Sequence, residues 1–334
     1  MLITIKRTIS FTLLITCASF ICHSSYSQNE NIIEVRFSHV DSDDSPRGKM
    51  ARYFQNLIRE RIGTDKMFVT VFPEGRIVDD VKAMDALLIG KIEIAAPSLS
   101  LVKQHSKRFQ VFDLPFIFSG PSAAEAFLQG VYAERLMNSL KSSGFTGLGY
   151  MIGGMGQISS DKKVVTPQDL QGLSVRTTSS EIEKSWIQNM GALAVELPFS
   201  RVSRALRKGR VDAQMSDYSS IQFNRFYKYQ QYILESNHTH LGYAVITSQK
   251  FLNNLPEDLR DTFQQAMQEA IQYGNALAKE QNAIDRLKLI DSGTTITRLS
   301  VDQRQQWIKA MLPLWKQKEN EIGRELIQAA ASQR

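Results

Sequence analysis

The chain has 334 residues, of which 43% are hydrophobic and 22% charged, with 19 glycines and 9 prolines. That composition excludes fibrous, low-complexity and disordered classes and fits a globular protein of about two lobes. A formal charge of +6 is too modest to imply nucleic acid as a partner, and no recognised nucleic-acid module accompanies it.

Taken in chain order, the first element reads as an export signal. Residues 1–27 carry Lys6 and Arg7 and no acid, then an apolar run over about 9–22, then Ser25-Tyr26-Ser27 with small residues where a signal peptidase cuts. The run is too short for a membrane span, so the expectation is a periplasmic protein cleaved near Ser27. Both cysteines, Cys17 and Cys22, fall inside this segment. The remainder therefore has no disulfide, thiolate metal site or cysteine nucleophile. Lipid attachment at Cys17 or Cys22 is the alternative, opposed by Thr16 and Ile21 where a small residue is wanted.

Residues 32–38 alternate as a strand, and 48–62 place Met50, Phe54, Leu57, Ile58 and Ile62 at helical spacing. A strand at 67–72 (MFVTVF), a helix at 81–89 and a short strand at 92–96 follow. Alternation of this kind predicts an α/β fold with a mostly parallel sheet. Residues 144–156 hold six glycines. They read equally as a tightly packed strand and as a crossover between lobes where backbone freedom permits a hinge. A second α/β unit follows: strand 173–177, helix 181–190, strand 193–197, helix 201–208 and strand 211–214, then a strand at 241–248. Pro256, Glu257 and Asp258 open a helix whose apolar residues recur to about Ile290. At 1.5 Å per residue its 35 residues would span about 52 Å, more than one small lobe, so it should bridge two.

No phosphate loop, nucleophile elbow, zinc-protease helix or dinucleotide fingerprint is present. His238 and His240, two apart, would share one face of a strand. Two ligands do not make a metal site, and polar residues at a strand entrance are the more ordinary reading. Arg201, Arg204, Arg207, Lys208 and Arg210 form a basic run, read as a solvated face or, less commonly, as a docking surface for an acidic partner.

Three segments carry a resemblance that spans about residues 35–329. They are FPEGRIVDDVKAMDALLIGKIEIAAP at 72–97, FQVFDLPFIF at 109–118, and the ordered set TPQDLQGLSVR, LPFSRVSRAL and GRVDAQ within 166–214. Together they resemble the solute-binding proteins of tripartite ATP-independent periplasmic (TRAP) transporters. The resemblance implies a two-lobed clamshell that closes on a small organic acid and delivers it to membrane subunits. Because the strand at 241 and the long helix follow a complete second α/β unit, the lobes should be discontinuous, of residues 32–150 plus 241–282 and of 151–240 plus 283–330.

In the family, the arginine ending the GL-x-x-R motif pairs with the ligand carboxylate; here that is Arg176. A guanidinium fork suits a carboxylate and stays charged, although by sequence alone Arg176 could be a surface residue. Ser98, Ser179 and Phe199 fall at further family pocket positions, and His39 follows the first strand, at the carboxyl end where an open α/β sheet binds ligands. Two departures stand out: Gly156 replaces a family arginine, and Ser216 and Asp217 replace an asparagine and a proline. One firm cationic fork then remains, with room or water where the long side chain is lost, which points to a monocarboxylate, unless Arg47, Arg76 or Lys49 swings in. No cofactor, metal, nucleic acid or enzymatic chemistry is expected. The alternative role is presentation of the acid to a sensor instead of a permease.

Overall fold

The computed structural model describes residues 32–333; the segment expected to be an export signal, with Cys17 and Cys22, lies outside them. The strands are β1 (Ile33–Ser38), β2 (Met67–Phe72), β3 (Ile94–Ala95), β4 (Phe145–Ser160), β5 (Ser174–Thr177), β6 (Leu193–Glu196), β7 (Ala213–Ser216), β8 (Tyr232–Ser248) and β9 (Thr295–Arg298). They form one sheet in the order β2-β1-β3-β8-β4-β7-β5-β6, with β9 on β8. The pairs β1–β2, β1–β3, β5–β6 and β5–β7 are parallel, as alternating strands and helices require.

Two long strands organise everything else. β4 and β8 pair antiparallel from Phe145↔Ser248 to Ser160↔Tyr232. The group β1–β3 joins at one end, through Ile94↔Thr247. At the other end β7 joins β4 through Gln157↔Ser216, and β9 joins β8 through Leu234↔Thr297. Two parallel groups thus hang from opposite ends of one ribbon. In its middle the register breaks between Gly147 and Gly149, Ile152 and Gly154, and Gly156 and Ile158. Gly154 sits at φ 139°, a conformation that residues with a Cβ rarely take, and a Cβ there would meet Asn282 and Asp217 at about 3 Å. The strand reading of the glycine-rich segment holds, and that strand runs from one parallel group to the other.

The 35-residue helix Glu257–Asp291 runs beside this ribbon, nearly as its apolar spacing predicts. Its first half buries Phe263, Met267, Ala270 and Ile271 with Phe54, Ile58 and Val35 of the β1–β2 group. Gly274 lets the helix at Pro46–Arg61 approach so closely that a Cβ would lie 2.7 Å from the Met50 Cβ. Near its end, Leu289 packs with Val202, Ile221 and Phe226 of the other group. Between them Asn275 accepts from the Ile152 N–H and Asn282 donates to the Gly153 carbonyl, fixing the helix to the ribbon.

Two elements differ from the sequence reading. The strand expected at 241–248 is the second half of β8, whose polar first half includes His238 and His240. Those histidines are mid-strand and buried, not at an entrance. The strand expected at 211–214 begins two residues later, because Asp212 turns its carboxylate to the Ser174 N–H and hydroxyl, at 2.7 and 2.6 Å.

Candidate functional site

Arg176 lies in β5, between Val175 and Thr177, with β6 and β7 on either side. Its side chain is buried, and its Nε donates to the Leu197 carbonyl at 3.0 Å. That bond aims the guanidinium along the turn that carries Phe199, whose ring centroid is 5.9 Å from the Arg176 Cζ. Phe199 is 44% exposed and rests edge-on against buried Phe226, so its free side is presented beside the fork. Among the described residues, no carboxylate forms an ion pair with Arg176. Burial lowers its pKa; the charge of Glu183 opposes this, but the Glu183 carboxylate is held by the Thr178 N–H and hydroxyl. A buried cation whose terminal nitrogens have no protein acceptor is costly unless an anion joins it.

The second guanidinium of this kind is Arg47, and it is fully committed. Its Nε and Nη2 grip Asp41 at 2.9 and 2.8 Å, its Nη1 donates to the Ala96 carbonyl at 2.5 Å, and Asp80 lies 3.7 Å away. Its Cζ stacks 3.8 Å above the Tyr243 ring. Although burial opposes its charge, Asp41 and Asp80 hold Arg47 protonated more firmly than a free guanidinium. Burial alone would raise Asp41, but the Arg47 fork prevails and holds it below the usual carboxylate range. Burial prevails at Asp80, which is pushed up to about 6. Arg47 therefore cannot swing to a ligand without abandoning two acids. Arg76 and Lys49 are exposed, and Arg76 pairs with Glu74.

The remaining predicted positions fall into two sets. His39 ends β1 beside this cage, 1% exposed, with no hydrogen-bond partner for either ring nitrogen. Burial, helped by Arg47, depresses its pKa to about 4 and keeps it neutral. Ser98 follows β3 and bridges to Tyr243 across the ribbon. Ser216 is buried in β7 and donates to the Gln214 side chain at 2.6 Å, so its hydroxyl is already engaged. Ser179 is exposed, and its carbonyl accepts from Lys103 at 3.4 Å. Gly156 does not leave the room expected of a lost arginine: a Cβ there would lie 2.6 Å from Thr239 Cγ2, because the β8 side chain fills the space. Arg176 and Phe199 are brought together; His39 and Ser98 sit by the Arg47–Tyr243 stack.

Sequence reasoning missed the cage itself and the burial of two carboxyls outside it. Asp217 caps the helix Tyr218–Phe223 through the Ser220 N–H at 2.7 Å, and burial raises it to about 6. Asp113 of the FQVFDLPFIF string accepts from Ser180, four residues past Arg176, at 2.8 Å; burial and nearby Glu183 raise it to about 7. His238 and His240 lie among Trp186, Phe116, Phe112 and Phe118, where burial lowers them to about 3 and about 4.

These groups oppose one another on titration. Between about pH 5 and 6 the unfolded chain protonates His39, His238 and His240, which stay neutral when folded; it ionises Asp80, Asp113 and Asp217, which keep their protons when folded. Proton uptake on folding and on unfolding then nearly cancels, so stability should change little across that window. Replacing His240 by Asn leaves the folded state holding one proton more. Its denaturation midpoint should rise as pH falls, by about 1.4 kcal/mol per pH unit. A flat profile in that variant, measured by urea unfolding, would contradict the assignment.

A sheet in two groups hung on a shared ribbon, a bridging helix and a buried guanidinium fork at Arg176 are the architecture of a two-lobed solute-binding protein. Residues 37–321 match the family model of bacterial extracellular solute-binding protein, family 7, and the chain belongs to that family. It is 38% identical over 300 residues to a C4-dicarboxylate-binding periplasmic protein of Shewanella loihica, covering 90% of this chain and 89% of that one. A TRAP periplasmic solute-binding protein from Shewanella oneidensis, solved with bound succinate, superposes with a TM-score of 0.86 at 36% identity, over 90% of this chain and 99% of the other. A sugar-acid-binding protein from Advenella mimigardefordensis, in complex with galactonate, superposes at 0.84 with 26% identity, over 91% and 99%.

Proposed function

We propose that this protein captures a small organic acid in the periplasm, by its carboxylate at Arg176, and delivers it to the membrane subunits of a TRAP-type transporter. The observation that carries this reading is the buried Arg176 fork, held by Leu197 beside the open face of Phe199 and unpaired with any described acid. The role is binding, not turnover. Residues 32–150 with 241–282 form one lobe and 151–240 with 283–330 the other, and the bulged middle of the ribbon is where they close on the ligand.

The acid carries one carboxylate and a polar remainder. Arg47 supplies no second charge to a ligand, since Asp41 and Asp80 neutralise it, and Gly156 has no side chain to offer. A second carboxylate brought into the cleft would be buried without a cation, at a cost of several kcal/mol. The galactonate complex of a relative shows that this fold accepts such an acid; the succinate complex of another is the competing precedent.

A thermal-shift panel decides between them. Hexonates and hexuronates should give the largest rise in melting temperature, and succinate or malate the smaller. If the C4-dicarboxylates win, the one-fork reading is wrong. Delivery is tested by vesicles carrying the cognate membrane subunits: uptake of the winning acid should require the purified binding protein.

A further inference from the structure

The basic run has a shape that its sequence does not reveal. Arg201 precedes the short helix Val202–Arg207, Arg204 lies one turn along it, and Gly209 at φ 60° folds the chain back. That turn is closed by the Arg210 N–H on the Ala205 carbonyl at 3.0 Å, which returns Arg210 to the same side. Arg201, Arg204 and Arg210, with Leu197 and Ala205, line one crevice of about 370 Å³. All three arginines are exposed at its walls, and none pairs with an acid among the described residues. The two acids nearest in sequence are engaged elsewhere: Glu196 with Lys184 at 2.7 Å, and Asp212 with Ser174. Like charges three or four residues apart on a helix repel. Here Arg207 and Lys208 add to the repulsion instead of relieving it.

We propose that this crevice binds a phosphate group, free or esterified in a lipid headgroup, at a site separate from the organic-acid cleft. A guanidinium fork pairs two N–H groups with two oxygens, and a planar carboxylate satisfies one such fork. Three forks lining one concave space call for an anion whose oxygens point in several directions. A tetrahedral phosphate has that form, and it brings one negative charge as a lipid diester and up to two when free, against the unpaired positive charge of the arginines. The side chains of Leu197 and Ala205 offer no hydrogen bonds and leave recognition to the arginines; the Leu197 carbonyl is already taken by Arg176 and that of Ala205 by the Arg210 N–H. The inference does not depend on which acid occupies Arg176.

The test uses the full folded protein without its signal segment. Inorganic phosphate and pyrophosphate are titrated by calorimetry at low salt, and vesicles of phosphatidylglycerol in phosphatidylcholine are assayed by co-sedimentation against phosphatidylcholine alone. Binding in the calorimeter assigns free phosphate; binding only to the anionic vesicles assigns the headgroup. Either should weaken with added salt and fall at least about tenfold in the variant Arg201→Gln/Arg204→Gln/Arg210→Gln. The thermal shift that this variant gives with its organic acid should be unchanged, which separates the two sites. The proposal is overturned if neither probe binds, if the triple variant binds as the wild type does, or if citrate or a poly-glutamate peptide binds while phosphate and the vesicles do not.

Discussion

Arg176→Ala should abolish the thermal shift produced by the organic acid and weaken its dissociation constant by roughly 100-fold or more. Truncating one partner of a buried, hydrogen-bonded charge pair costs about 2–5 kcal/mol. Arg176→Lys keeps the charge and loses the two-pronged geometry and the bond to Leu197, so it should fall between. The informative measurement is on the ligand-free protein. Arg176 is buried with no described acid opposite it, and burial disfavours its charged form. An apolar residue of similar length removes that penalty, so Arg176→Met should have a urea midpoint equal to or above the wild type. A ligand arginine is then separated from a structural one by two opposite signs: binding lost, stability kept. Unchanged affinity in Arg176→Ala, or a ligand-free midpoint falling as it does when a structural ion pair is broken, would refute the role given to this residue.

The opposite pattern is expected at Arg47. Its removal strands Asp41 and Asp80, two carboxyls that it neutralises from inside the protein. Breaking a buried ion pair on one side typically costs about 3–5 kcal/mol. For a chain of this size that is a fall of about 5–8 °C in melting temperature for Arg47→Met. The loss should shrink in acid. Without the guanidinium both carboxyls titrate higher in the folded state than in the unfolded one, and a carboxyl of that kind costs stability as pH rises through its unfolded value. The gap to wild type should therefore narrow as pH falls from 7 towards 5. The double variant Arg47→Met/Asp80→Asn should recover part of the loss at neutral pH. A gap independent of pH would mean that packing on Tyr243, not charge, accounts for the effect.

The contrast between these arginines explains what the sequence could reveal. Arg176 and Phe199 stand out in the sequence because each lies in a short motif, and the structure sets them side by side, while the ligand role given to them is a proposal. The long helix was legible from Pro256 onward because its signals are local: a starting proline, early acids and a repeat of three or four. The Arg47 cage draws on residues 41–47, 80, 96 and 243, and no local pattern joins those segments. Only the fold places Tyr243 of β8 under a guanidinium from the first helix. Gly156 failed for the same reason, since the side chain that fills its space, Thr239, belongs to the other strand of the ribbon. The polar start of β8 was misread because buried histidines look like strand-entrance residues when their aromatic neighbours are far away in sequence.

The ribbon also dictates an order of assembly. β3 reaches the rest of the sheet only through β1 and β8, and its pairing of Ile94 with Thr247 closes a span of about 150 residues. The β1–β2 group finishes its core only with Phe263, Met267 and Ile271, from a helix that forms after every strand but β9 has been made. The last helix, Arg324–Ala331, then packs Leu326 and Ile327 into the cluster that holds Phe112 and Phe127, some 200 residues earlier. Neither half can be completed from a contiguous stretch of chain. A growing or threading polypeptide must keep its first 150 or so residues partly open until its end arrives, and long-range closure of that kind is slow. Truncation near the C-terminus should therefore damage the N-terminal half first, and a cut at the glycine-rich crossover cannot release two independently folding pieces.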